Sequence, residues 1–269
     1  MISQIIGTTA NKLIDFELNN RYKILGKALD IDDEWFGDAL YQLFEKSKVI
    51  THFYTTNYDG ILDIMLMRNN GRYLSDGFEA YNKVEIKFDS EDAWNACKFN
   101  LSNFLKSHKN DNIIAHLHGS YKFINTKSGK TRKLIKTKDG NHPIGYYPVI
   151  VYNSPILKYD LIEQIDVLKW YFLHFRLSLG ECSKLVIWGN SLRTDPHIVD
   201  AICQNFDKEK PLYIIDINPK SVIERLQNTC KNKGFDKFKN IKTINNLGFD
   251  EPPKTKKDLF ELFKKLITD

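Results

Sequence analysis

The chain has 269 residues, 42% of them hydrophobic and 13% aromatic, which is enough to bury a sizeable core and excludes a disordered segment. Its 39 basic and 34 acidic residues leave a formal charge of +5, which suits a protein that handles an anionic small molecule and does not indicate nucleic-acid binding. No apolar run approaches the roughly 18 residues of a membrane span, and the opening MISQIIGTTANKL lacks the charged start and apolar block of a signal peptide.

These features imply a cytoplasmic protein without membrane contact. Cys97, Cys182, Cys203 and Cys230 stand far apart with no Cys-x-x-Cys pair, so they are expected to be reduced core residues and neither a zinc site nor a disulfide framework.

Helical spacing of apolar residues predicts helices over Ala10–Ala28 and Asp33–Lys48, the second with acids at its start and lysines at its end. Val49–Tyr54 is β-branched and aromatic and predicts a strand. A helix is expected around Asp92–His108, then a strand over Ile113–His118 stopped by Gly119. Residues 120–146 are polar, with turn signals at Ser128-Gly129 and Asp139-Gly140. They hold a run from Lys122 to Lys138 with seven lysines and arginines and no acid, which reads as a solvated hairpin excursion. Tyr147–Tyr152 is an edge strand by its proline, and Asp160–Gly180 a long amphipathic helix.

From Lys184 onward strands and helices alternate. Lys184–Trp188, Leu212–Ile217 and Ile241–Ile244 are strands, and Pro196–Phe206, Pro219–Lys231 and Lys256–Ile267 are helices. Near-continuous apolar strands separated by helices imply parallel pairing. The expected fold is a single α/β domain over 1–269, Rossmann-like and doubly wound, with a mostly parallel sheet, helices on both faces and a small polar excursion.

In such sheets ligands bind outside the carboxyl ends of the strands. Here those ends read Thr55-Thr56-Asn57-Tyr58-Asp59, His118-Gly119-Ser120, Gly189-Asn190-Ser191-Leu192 and Asn218-Pro219. One good cap would serve each turn, yet every one carries a polar or glycine motif. The order TTNYD, LHGS, WGNSL and DIN, spread from Val49 to Asn218, resembles that of the sirtuins. NYDGILD and SLRTDPHIVDAI are closer in spelling to the bacterial sirtuin-like proteins of anti-phage defence than to protein deacetylases.

The resemblance implies an NAD hydrolase that releases nicotinamide and ADP-ribose and drains NAD during phage infection. By it His118 is the general base, Asn57 positions a water or the ribose hydroxyls, and Asp59 accepts hydrogen bonds from the nicotinamide carboxamide. Gly189 and Ser191 let the backbone approach the dinucleotide, Asn218 holds the adenosine ribose, and Thr56 and Asn190 complete the binding set. NAD is the substrate, no metal is required, and a homo-oligomer or a defence-complex partner is expected. The alternative is a catalytically silent NAD or ADP-ribose sensor, or an interaction subunit.

Two departures stand out. The zinc module of the deacetylases is absent, which favours water over acetyl-lysine as acceptor. The glycine-rich pyrophosphate loop is reduced to Gly7-Thr8-Thr9, which points to a segment upstream of Met1. Plainer roles stand beside the functional ones. Asn57 and Asp59 suit a capped turn, and Asp195 suits the cap of the helix at Pro196. His116 and His118 share a strand face as a metal pair would, but no third ligand has a telling spacing.

Overall fold

The computed structural model describes residues 49–60, 62–63, 74–87, 93–126, 128–134, 148–151 and 155–245. The helices expected over Ala10–Ala28, Asp33–Lys48 and Lys256–Ile267, the Gly7–Thr9 turn and residues 135–146 of the basic excursion lie outside these. The chain forms two compact units, Met1–Val151 with Leu161–Tyr171, and Tyr152–Asp160 with Phe172–Asp269. The architecture is mixed α/β, with two parallel sheets, one antiparallel sheet and five helices among the described residues.

In the first unit β1 (His52–Thr55), β5 (Asn112–His116) and β2 (Leu74–Ser75) pair in parallel, in the order β1-β5-β2. The middle strand is buried on both faces. Ile113, Ile114 and Ala115 are fully buried and His116 is 1% exposed, as the run IIAH requires.

The second sheet of this unit is antiparallel. Its order is β3 (Phe78–Lys87), β4 (Ala93–Phe99), β7 (Thr131–Leu134), β6 (Gly119–Asn125) and β8 (Pro148–Ile150). Residues 120–125 and 131–134 are therefore the strands of the hairpin that was expected, but it is built into a sheet with Tyr121, Phe123, Ile124 and Leu134 buried, and its reading as a solvated excursion is corrected. The turn signal at Ser128-Gly129 was sound: Thr126 N donates to Lys130 O, and Gly129 turns at φ 74°. So short a link between β6 and β7 forces antiparallel pairing. The proline of β8 sits in an edge strand as expected.

The helix expected over Asp92–His108 is likewise part strand. Ala93–Phe99 is β4, and the helix, α1 (Leu101–Ser107), starts only where Asn100 accepts from Asn103 N and caps it. Phe104 packs from α1 against Phe99 and Tyr171, ring centroids 5.6 and 5.3 Å away. Such aromatic contacts add roughly 0.5–1.5 kcal/mol each beyond area burial.

The helix expected over Asp160–Gly180 is two helices, α2 (Pro155–Gln164) and α3 (Asp166–Glu181), the second opened by an acid at its N-terminus. The second unit then runs β9 (Leu185–Trp188), α4 (Pro196–Asn205), β10 (Leu212–Asp216), α5 (Pro219–Asn232) and β11 (Ile241–Asn245). The three strands pair in parallel in the order β11-β10-β9, as the alternation predicts. Prolines open both helices, where their missing N–H costs nothing. The apolar faces of α4 (Ile198, Val199, Ile202) and α5 (Val222, Leu226) are buried, as are Leu212, Ile214 and Ile215 of β10.

Cys203 and Cys230 are joined as a disulfide and both are buried, which corrects the expectation of four reduced cysteines. Their separation of 27 residues carries no local signal, because the pair is made by two successive helices with β10 between them. Cys97 and Cys182 are free thiols. Among the described residues no helix is long and apolar enough to cross a membrane.

Candidate functional site

At the carboxyl edge of the first parallel sheet, Thr55 of β1 lies opposite His116 of β5. The two chains continue side by side past the strand ends, for Leu117 N donates to Thr55 O at 2.9 Å. The loop Thr56–Gly60 and the turn Leu117–Tyr121 are then stitched together. Tyr58 O accepts from Ser120 Oγ and from Tyr121 N, both at 3.2 Å, and His116 Nδ1 lies 3.2 Å from Asn57 O. Tyr58 also anchors through its hydroxyl, which donates to Val151 O at 2.5 Å. Asn57 N donates to Thr55 Oγ1, forming a compact turn.

The structure thus brings Thr56, Asn57, Asp59 and His118 to one sheet edge. Asn57 is exposed, Thr56 and Asp59 are half-buried, and His118 is 3% exposed. Gly119 does not stop a strand; it is the pivot into β6. It adopts φ 83°, and a Cβ there would lie 2.0 Å from Val149 O. Only glycine lets β8 approach so closely while Val151 N donates to His118 O.

Beneath the loop lies a set of buried charges that the sequence reading missed. His116 Nε2 meets Asp63 Oδ2 at 2.7 Å, and Asp63 Oδ1 meets Lys133 Nζ at 3.4 Å. Lys133 also forms an ion pair with Asp76, whose backbone carbonyl accepts from the Tyr171 hydroxyl at 2.6 Å. Burial pushes the Asp63 carboxyl up, but His116 and Lys133 outweigh it and hold it well below the usual carboxylate range. Burial pushes the Lys133 ammonium down, and Asp76 and Asp63 overcome this and raise it. The Tyr171 hydroxyl is raised well above its ordinary value by burial, reinforced by Asp76 and Asp63.

A histidine inside an apolar strand is the signal that was available. Buried on both faces, it needs a polar partner, but nothing in the sequence singles out Asp63, which lies 53 residues away. Since both His116 nitrogens are engaged, the metal pair of His116 with His118 is not formed.

In the second unit the predicted residues follow the neighbouring strands β9 and β10 at their carboxyl ends. Gly189 takes φ 61°, its N donates to Ile215 O at 2.9 Å, and a Cβ there would meet nothing within 4 Å. Asn190 Oδ1 accepts from Leu192 N at 2.8 Å and Ser191 Oγ from Arg193 N at 3.4 Å, while Arg225 donates to Ser191 O. Asn218 caps α5, its Oδ1 accepting from Ser221 N at 3.2 Å. Asp195 stands at the N-cap position of α4 but makes no side-chain cap, because its carboxylate pairs with the buried Lys158. Lys158 Nζ also donates to Thr194 O at 2.9 Å and so ties down the loop that follows Ser191. Lys158 was not singled out from the sequence, and Asp195 was read there only as the cap of α4.

The fold defines a mixed α/β protein whose candidate residues gather at the carboxyl ends of parallel strands. A scan against protein-family models finds no match, and a search of curated proteins finds none.

Proposed function

We propose that the chain is a sirtuin-like NAD hydrolase that cleaves the nicotinamide–ribosyl bond, an NAD-depleting effector of bacterial defence against phage. One observation carries this reading: the TTNYD loop and the LHGS turn, far apart in sequence, are laced to each other at one carboxyl edge. That is where open α/β sheets bind their ligands. The two parallel sheets are taken as Rossmann-like and doubly wound in this reading, which assumes a cytoplasmic protein acting as a homo-oligomer or with a defence partner.

The reaction needs little covalent chemistry from the protein. The bond from the ribose C1′ to the pyridinium nitrogen breaks, and its electron pair neutralises the departing nicotinamide. A water oxygen bonds to C1′ and its proton passes to His118. Asn57 orients that water or the ribose hydroxyls, and Asp59 accepts from the nicotinamide carboxamide N–H. Such positioning and charge stabilisation supply most of the rate where the leaving group is already activated. Thr56, in the same loop, joins them in binding NAD; Gly189, Asn190, Ser191 and Asn218, in the second unit, are the dinucleotide-binding residues that the sirtuin resemblance implies.

Nicotinamide release by the purified protein tests the reading. His118→Ala and Asn57→Ala are expected to lose cleavage by about 10²–10⁴-fold while remaining folded, the span of a removed general base. Cleavage at the parent rate by the His118 variant removes the assigned base, and no cleavage by the parent removes the activity. The silent-sensor reading is favoured by the 3% exposure of His118, which leaves a base little access to water. Binding of NAD or ADP-ribose without turnover is its expected signature.

A further inference from the structure

Asp63, Asp76, Lys133 and His116 take no part in the reaction above, yet one of them touches the candidate loop. The His116 ring is 1% exposed and packs edge-on to Phe123, centroids 5.7 Å apart. Its Nδ1 faces the Asn57 carbonyl and its Nε2 faces the Asp63 carboxylate. Both partners are acceptors, so both contacts are hydrogen bonds when each ring nitrogen carries a proton. Asp63 is in turn held by Lys133, and Lys133 by Asp76, so a continuous line of polar contacts runs from β7 to the loop. The next carbonyl, that of Tyr58, is pinned separately by Ser120 and Tyr121. Two consecutive carbonyls are therefore fixed in direction. The side chain of Asn57 leaves the Cα between the first of them and its own N–H.

We propose that His116 is the positioning residue of the candidate site: clamped by Asp63, it holds the Asn57 carbonyl and thereby aims the exposed Asn57 side chain. It touches no substrate. A histidine so used differs from His118 in what its loss does, since a misaimed Asn57 lowers turnover without removing the surface on which the substrate rests.

The activity part of the test rests on the NAD-cleavage reading; the loop part does not. His116→Phe keeps the ring and its packing but donates no hydrogen bond, and His116→Gln keeps a side-chain N–H. With folding checked by thermal melting, the Phe variant is expected to lose ~100-fold in kcat with KM within about twofold, the loss typical of a misplaced group. The Gln variant is expected to recover part of that loss. Independently, amide hydrogen exchange of a peptide covering residues 56–60 should quicken by about tenfold or more in the Phe variant and less in the Gln variant. A folded Phe variant with unchanged exchange in that peptide overturns the proposal, whether or not the protein cleaves NAD. Should the Phe variant melt out of the working range, Asp63→Asn is read in the same way, and unchanged exchange there counts equally against it. Altered exchange with no cleavage by the parent protein keeps the positioning role and discards the activity.

Discussion

Lys158 and Asp195 form an ion pair in which both partners are withdrawn from water, their side chains 2% and 8% exposed. Removing one charge of such a pair leaves the other buried, which typically costs about 3–5 kcal/mol, whereas replacing both with apolar groups is often neutral. Lys158→Met and Asp195→Leu are therefore each expected to lower stability by about that amount, and the double variant to recover most of it. Urea denaturation of the three proteins checks this. A double variant as unstable as the sum of the singles would show that the pair holds the loop by geometry that apolar packing does not replace.

Acid should reveal Asp63. Burial raises its pKa, but His116 and Lys133 outweigh that and depress the folded value far below the unfolded value of about 3.9. A depressed folded pKa contributes stability that is fully present above the unfolded value. That contribution is lost as pH falls below it toward the folded one. Asp63→Asn is expected to be less stable at neutral pH and to show a shallower loss of stability below about pH 4. Melting temperatures taken between neutral and strongly acidic pH give the two slopes, and identical slopes would remove Asp63 from the acid response.

Two glycines with positive φ should respond very differently to alanine. At Gly119 the added Cβ would strike the Val149 carbonyl oxygen at 2.0 Å, and β8 would have to move; at Gly189 it would meet nothing. Gly189→Ala is expected to cost roughly 1–2 kcal/mol, from backbone conformation alone. Gly119→Ala should exceed roughly 3 kcal/mol, since displacement adds to backbone strain. Equal melting temperatures for the two variants would contradict this geometry.

The Cys203–Cys230 bond closes a loop between α4 and α5. Cross-links of this kind contribute about 2–4 kcal/mol, chiefly by restricting the unfolded chain. Reductant is expected to lower the melting temperature of the parent protein and leave that of the Cys203→Ser/Cys230→Ser variant unchanged. A parent protein insensitive to reductant would mean that the bond contributes nothing in solution.

The parallel strands β1, β5, β9, β10 and β11 were legible as short β-branched or aromatic runs bounded by turns, as in Leu212–Asp216, whereas the two-residue β2, Leu74–Ser75, was not. Most of the antiparallel sheet was not legible, its edge strand β8 apart. Ala93–Phe99 mixes small, polar and aromatic residues without strict alternation, and its neighbour in the sheet, Thr131–Leu134, is half basic and lies within the lysine-rich run. A run of lysines reads as solvated from composition, yet Lys133 is drawn inside by Asp63 and Asp76, which lie 70 and 57 residues away. The grouping of Asn57 with His118 was legible because both stand just past the ends of apolar strands. The ion pairs beneath them were not, since a carboxylate and its distant partner leave no periodic mark.

The stitching of the Tyr58 loop to the turn after β5 also sets an order of events during synthesis. The His116 contact to Asn57 spans 59 residues and the Ser120 contact to Tyr58 spans 62. At roughly 5–20 residues per second, the ribosome adds the second half of this arrangement about 3–12 s after the first. Until then the loop has no partner from that half of the site, and closing so long a segment costs entropy that only the completed β1–β5 pairing offsets. A nascent chain halted before Asn112 therefore carries every residue of the TTNYD motif and no formed site, so a ligand of the finished protein finds no site there to bind.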